Sequence, residues 1–189
     1  MTRFVVRRIR ASDWSEFRTL RLKALRVDPV AFGSTLEREL AYPEARWKQW
    51  AEGAGAGDEA ATFVAELPEG GLVGLAGVFT KSGEHHLWGM WVAPEHRRLG
   101  VGAALLDALF AWGETVRPRR PILLEVNPEE EAAVRLYLRH GFFFTGATAP
   151  LGHHGDALTR EMRRPVRGGG GSATSSGPDG SAPSPGERH

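Results

Sequence analysis

Residues 87–112 run from an apolar stretch through a short turn with two glycines into an amphipathic stretch, and that succession leaves a chain few ways to fold. Leu87-Trp88-Gly89-Met90-Trp91-Val92 reads as a buried strand, while Val101, Leu105, Ala108, Leu109 and Trp112 recur at helical spacing. The first amides of a helix have no intrahelical acceptor and carry the positive end of the macrodipole, so a strand, turn and helix in this order attract phosphate oxygens. Gly100 and Gly102 remove side chains that would stand between those amides and a pyrophosphate. Arg97 and Arg98 add cationic charge beside them, in the form best suited to bidentate phosphate contacts. A plain helix start accounts for the same residues. A Walker loop or dinucleotide fold does not, because no Gly-Lys-Ser/Thr, no Gly-x-Gly-x-x-Gly and no suitably spaced acidic residue follows.

Composition narrows the classes. The 189 residues, 41% of them hydrophobic, suit one domain with a real core. A formal charge of +1 argues against a general nucleic-acid binder. There is no cysteine, which rules out disulfides, thiolate catalysis and cysteine zinc sites. The apolar stretch near 99–113 is interrupted by Asp107 and is too short for a bilayer, and Met1-Thr2-Arg3-Phe4 has no apolar signal region, so a cytoplasmic protein without membrane contact is expected. From Gly168 the chain contains only small, polar and charged residues with proline, and residues 168–189 are expected to form a disordered tail to a domain spanning 1–167.

Within that domain the pattern is mixed α/β. Phe4 to Arg10 alternates as a strand, and Ser12 and Asp13 offer caps for a helix carrying Trp14, Phe17, Leu20 and Leu25 that ends at Pro29. Pro43 opens a second helix with Trp47 and Trp50, followed by a glycine-rich loop at 53–57. Strands at 62–67 and 72–80 pair across Pro68-Glu69-Gly70-Gly71, and 85–92 extends the sheet. A helix near 98–115, a strand at 121–126, a helix at 129–139 and strands at 142–148 and 156–163 complete the order.

Arg97-Arg98-Leu99-Gly100-Val101-Gly102 resembles the Gln/Arg-x-x-Gly-x-Gly/Ala pattern by which the GNAT superfamily of N-acetyltransferases holds the pyrophosphate of acetyl-CoA. Leu124-Glu125-Val126-Asn127, then Ala132 to Tyr137, then Gly141-Phe142 resembles the family's following strand, helix and strand, and the resemblance covers residues 3–164. It implies a GNAT fold: a central, twisted, mostly antiparallel sheet of six to seven strands with a splayed fourth and fifth strand and about four flanking helices.

The resemblance also implies the chemistry, transfer of an acetyl group from acetyl-CoA to a primary amine within a ternary complex. Met90, Trp91 and Val92 would bind the acyl arm through their backbone, and residues Arg97 to Ala103, that is Arg97, Arg98, Leu99, Gly100, Val101, Gly102 and Ala103, would hold the pyrophosphate. Tyr137 matches the general acid that meets the leaving thiolate, and Glu125 or His86 matches a general base; each also reads as an ordinary structural residue. Glu130 stands where many relatives have an asparagine, and Asn127 is carried as a cofactor-site residue in its stead. Val27 to Ser34 resembles the segment lining the acceptor groove, with Phe32 as its contact or simply as an apolar anchor after the helix. His153 is the acceptor contact implied for the late loop, whose solvated-turn reading stands beside it. His153, His154 and Asp156 lack an ordered ligand spacing, so no metal is expected.

Magnitudes show what a base contributes. An α-amine with a pKa near 8 is about one-tenth neutral at pH 7, whereas a lysine near 10.4 is neutral about four times in ten thousand, a difference of about 3 kcal/mol. Nothing in the sequence selects among these acceptors. A non-catalytic acyl-CoA sensor is the alternative function, and a homodimer, common in the family, is compatible with either.

Overall fold

The computed structural model describes residues 4–152 and 154–166, so His153 and the tail expected from 168 lie outside the described residues. Strands β1 (Val5–Arg8), β2 (Ala60–Glu66), β3 (Leu72–Lys81), β4 (Glu84–Val92), β5 (Ile122–Val126), β6 (Phe143–Pro150) and β7 (Leu158–Arg164) form one sheet in the order β1-β2-β3-β4-β5-β7-β6. Neighbouring strands are antiparallel except β4 and β5, which run parallel. The helices are α1 (Trp14–Val27), α2 (Leu36–Leu40), α3 (Glu44–Gly55), α4 (Val101–Thr115) and α5 (Glu131–Arg139).

Alternation along the strands builds a core on each face. On one, Phe17, Leu20, Leu25, Trp47 and Ala51 of α1 and α3 pack on Ile9, Val64, Leu75 and Trp91. On the other, Val101, Leu105, Leu106, Leu109 and Trp112 of α4, with Tyr137 of α5, pack on Phe63, Ala76, Val78, Leu87 and Leu124. The first core contains a stack of three indoles, Trp47 on Trp50 at 5.5 Å and Trp50 on Trp88 at 5.0 Å between centroids. The Trp88 ring lies over Gly77, where an added Cβ would meet it at 2.1 Å.

The sequence pattern departs from the structure where tertiary packing overrides local signals. The expected loop at 53–57 is helical as far as Gly55, because Ala51 and Ala54 are buried against the sheet. The helix expected near 98 begins at Val101, after Arg98 and Gly100 take φ of +63° and +84°. Asp13 precedes α1, but its carboxylate accepts from the Arg10 amide at 2.7 Å and from Arg7 rather than capping the helix. The helix that the sequence pattern leaves out, α2, is too short to show a period; the Thr35 hydroxyl accepts from the Arg38 amide at its start at 3.2 Å.

Candidate active site

β4 and β5 are in register only through His85 with Ile122 and His86 with Leu123. Beyond those pairs β5 continues along β7 while β4 continues along β3 alone, so the two parallel strands splay apart. A bulge in β4 accompanies the divergence: the register shifts between Leu75 and Gly77, and Gly89 opposite takes φ of +65°. An extra residue increases local twist and re-aims the side chains that follow. Met90 and Val92 therefore pack toward α4 and α5, and Trp88 and Trp91 toward α1 and α3. Among the described residues the edge of β4 facing the opening has no strand partner past His86, which leaves backbone groups between Met90 and Val92, apart from the Val92 carbonyl that Arg97 engages, available to an extended ligand.

The turn after β4 is a short 3-10 helix, Pro94–His96, followed by Arg97 to Gly100. Among the described residues the amides of Arg98, Leu99 and Gly100 make no hydrogen bond, and the first amides of α4 have no intrahelical acceptor. Alternating hand at Arg98 and Gly100 gathers such amides toward one concavity, the arrangement that receives an anion. The Arg98 side chain is exposed, and Leu99 is 49% exposed. The two glycines have separate reasons. Gly100 supplies a left-handed backbone with open space where a Cβ would stand, whereas a Cβ on Gly102 would sit 3.1 Å from Leu136 and 3.4 Å from Met90. Gly102 thus sets how closely α4 approaches β4 and α5, beyond the steric clearance that its place in the motif suggests.

Arg97 behaves differently from its neighbour. Its Nε donates to the Val92 carbonyl at 2.9 Å and its Nη2 to Asp28, so the guanidinium holds the turn to the body of the protein. Val101 is buried under the turn and Ala103 is half-buried.

Tyr137 projects from α5 into the second core, edge-on to Phe142 at 5.6 Å. Its hydroxyl has no hydrogen-bond partner among the described residues, and burial pushes the phenol's pKa well above its ordinary value. Glu125 alone among the residues of β5 is exposed, and its Oε2 accepts from the Thr159 hydroxyl at 3.1 Å. His86 is half-buried and stacked on Phe79 at 5.3 Å. Because His86 is paired with Leu123, Glu125 lies on the same sheet face, two residues further along β5 and past the point where the strands part.

The segment 28–34 runs from the Arg97 and Trp91 side of the opening to the end of β5. Phe32 is buried with its ring against the Arg21 guanidinium, 4.6 Å from the centroid. The Asn127 amide donates to the Val30 carbonyl at 3.4 Å and its Oδ1 accepts from the Glu129 amide at 3.0 Å, so this side chain is engaged in joining β5 to that segment and to the approach to α5. Sequence reasoning missed Asp28, Arg21, Glu39 and Gly152. Asp28 accepts from Trp91 Nε1 at 2.6 Å. Arg21 and Glu39 form a buried bidentate pair at 3.0 and 2.7 Å. A Cβ on Gly152 would lie 2.5 Å from the Gly33 carbonyl oxygen. The partners are far apart in the chain, and no local period marks them; Asp28 falls within the Val27 to Ser34 segment, but nothing beside it points to Trp91 or Arg97. Among the described residues no group of three or more His, Asp and Glu side chains could hold a metal ion, and no helix is long and apolar enough to cross a membrane.

The structure is similar to an acetyltransferase of the GNAT family from Streptococcus pneumoniae at a TM-score of 0.74 and 20% identity, covering 87% of this chain and 100% of that one. It is similar to a phosphinothricin acetyltransferase from Sinorhizobium meliloti in complex with AcCoA, at a TM-score of 0.71 and 22% identity over 92% of both chains. It is also similar to spermidine N-acetyltransferase from Vibrio cholerae in complex with CoA and spermine, at 0.66 and 17%, covering 85% of this chain and 94% of that one. A search of curated proteins finds no match. The profile of the acetyltransferase (GNAT) family matches residues 14–142, which take in α1, the splayed strands, the turn and Tyr137, and the chain belongs to that family.

Proposed function

We propose that this chain transfers the acetyl group of acetyl-CoA to a primary amine by direct attack in a ternary complex. The observation that carries the reading is the splay of β4 from β5 with free amides at its mouth: the Arg98 to Gly102 turn offers a pyrophosphate site, and the unpaired edge of β4 continues from it as a track for an extended arm. The relatives from Sinorhizobium meliloti and Vibrio cholerae, in complex with AcCoA and CoA, support the donor. Arg98 adds charge at the turn, and the Arg97 guanidinium, engaged by Val92 and Asp28, shapes it.

On this reading the thioester carbonyl lies at the β4 edge, where a backbone amide of Met90 to Val92 donates to the developing oxyanion. The neutral amine attacks the carbonyl carbon, the carbon–sulfur bond breaks as the tetrahedral adduct collapses, and the sulfur leaves as thiolate. Tyr137, protonated at neutral pH as a phenol is, donates its proton toward that sulfur as negative charge develops there. Glu125 takes a proton from the acceptor, directly or through water. What favours it over His86 is its exposed position past the point of divergence, whereas His86 precedes that point and is stacked on Phe79. Phe32 borders the acceptor.

A panel of amines read by thiol release, run on the wild type and Tyr137→Phe, tests the reading. Saturable thiol release with at least one amine, diminished in the variant, is expected. Acetyl-CoA binding with no release for any amine would instead favour a sensor.

A further inference from the structure

Asp28 occupies a junction. Its amide donates to the Ala24 carbonyl at 2.9 Å, closing α1, and its carbonyl accepts from the Ala31 amide at 3.1 Å, opening the short turn that leads to Phe32. Its carboxylate Oδ2 takes the indole N–H of Trp91, from β4, at 2.6 Å and Nη2 of Arg97, from the first residue after the 3-10 turn. Arg97 is fixed in turn on the Val92 carbonyl at 2.9 Å. One carboxylate oxygen therefore joins the end of α1, the strand that borders the opening and the turn whose amides are free.

The segment that begins at Asp28 is tied at its far side as well. Val30 takes the Asn127 amide from the end of β5, and the Gly33 backbone lies against Gly152 in the β6–β7 loop with no room for a side chain. The segment thus spans the mouth of the splay from β4 to β5 like a strap. Asn127 and Gly152 hold it to the acceptor side; among the described residues Asp28 provides its hydrogen-bonded link to the turn.

We infer that Asp28 is a positioning residue that couples the acetyl-CoA turn to the strap, so that ligand bound at the turn orders the acceptor side of the groove. The inference rests on the acetyl-CoA reading given above. An anion held by the amides of residues 98–102 restrains the turn, and Asp28 passes that restraint directly to the residues that follow it, because Arg97 and Trp91 meet on one of its oxygens. The Lys23–Glu95 pair joins the turn to α1 and not to the strap, and Arg21 joins Phe32 to Trp88 of β4 and not to the turn. Because coupling between two sites is reciprocal, a strap ordered by an acceptor would in turn tighten the turn on the donor.

Amide hydrogen exchange of the full chain with and without coenzyme A tests this. In the wild type coenzyme A should slow exchange at residues 98–103 and also, about threefold or more, at the Ala31 and Phe32 amides. In Asp28→Ala the slowing at 98–103 should persist while the response at Ala31 and Phe32 disappears. Asp28→Asn keeps an acceptor for Trp91 but removes the charge facing Arg97, and covers the case of an alanine variant that does not fold; its strap response should fall by about half or more. A strap response equal in wild type and variants, or absent in a wild type whose turn is protected, overturns the coupling and leaves the acetyl-CoA reading in place. Absence of protection at 98–103 in the wild type overturns that reading itself. A purely structural role for Asp28 would alter exchange without ligand and leave the ligand response intact.

Discussion

Tyr137 and Glu125 lie in opposite environments, one buried with no hydroxyl partner among the described residues, the other exposed with a hydroxyl donor at 3.1 Å. In Tyr137→Phe the ring still packs on Phe142, so stability should change by less than about 0.5 kcal/mol, whereas kcat should fall about 100-fold with acetyl-CoA affinity retained. Thiol-release kinetics and calorimetry measure the two. Glu125→Gln should lower kcat/KM about 100-fold near neutral pH, and the deficit should shrink as pH rises and the acceptor amine loses its proton unaided. His86→Ala should leave kcat within about threefold of wild type in the same assay. Gly77 is constrained by a single neighbour. Gly77→Ala forces Trp88 off the sheet and out of its stack on Trp50, and should cost about 1–3 kcal/mol in denaturant unfolding.

Among the elements, α2 is the one whose place depends least on its own sequence. Five residues cannot sustain a helix alone, and Glu39, 2% exposed, is held by Arg21 of α1, 4% exposed, through two hydrogen bonds. The same guanidinium lies against Phe32 at 4.6 Å and so connects α1 and α2 with the strap. Removing one partner leaves a buried charge uncompensated: Glu39→Ala should destabilise by about 3–5 kcal/mol in chemical denaturation, and the paired substitution Arg21→Met with Glu39→Leu by clearly less. β4 shows the converse. Its apolar run makes it a strand from sequence alone, but the bulge at Gly89 decides which residues face which core, and period-2 reasoning without the bulge would place Trp88 and Met90 on one face.

For the molecule as a whole, the parallel contact between β4 and β5 is the narrow point of the fold, and His85 is buried there with its Nδ1 3.1 Å from the Thr80 hydroxyl and its ring 5.0 Å from Trp112. Burial, and next the charge of Arg120, lowers its pKa from the ordinary value. The unfolded chain therefore binds a proton at this site as pH falls through about 6.5 while the folded chain does not, so stability declines with falling pH until the folded value is reached. Melting temperature should drop as pH falls from about 7.5 to about 5.5, and His85→Gln should flatten that slope. Much of this architecture was legible in the sequence. Element types followed from hydrophobic period, and the strand, turn and helix around Arg97 to Gly102 from the order of apolar runs and glycines, because these are set by contacts between residues three to four apart or alternating along a strand. Arg98, Gly100 and Tyr137 were singled out because each belongs to a continuous motif that resembles the family's, and the structure adds their backbone hand and burial. Asp28 with Arg97, Arg21 with Glu39, Asn127 with Val30 and Gly33 with Gly152 were not. By itself the sequence determined the strands and the longer helices, the α/β order and the family; only the tertiary structure decided that α2 forms, where the strands part, which way Arg97 turns and what the strap is tied to. Those depend on the register of distant segments, and a side chain's partner across the sheet leaves no trace in the residues beside it.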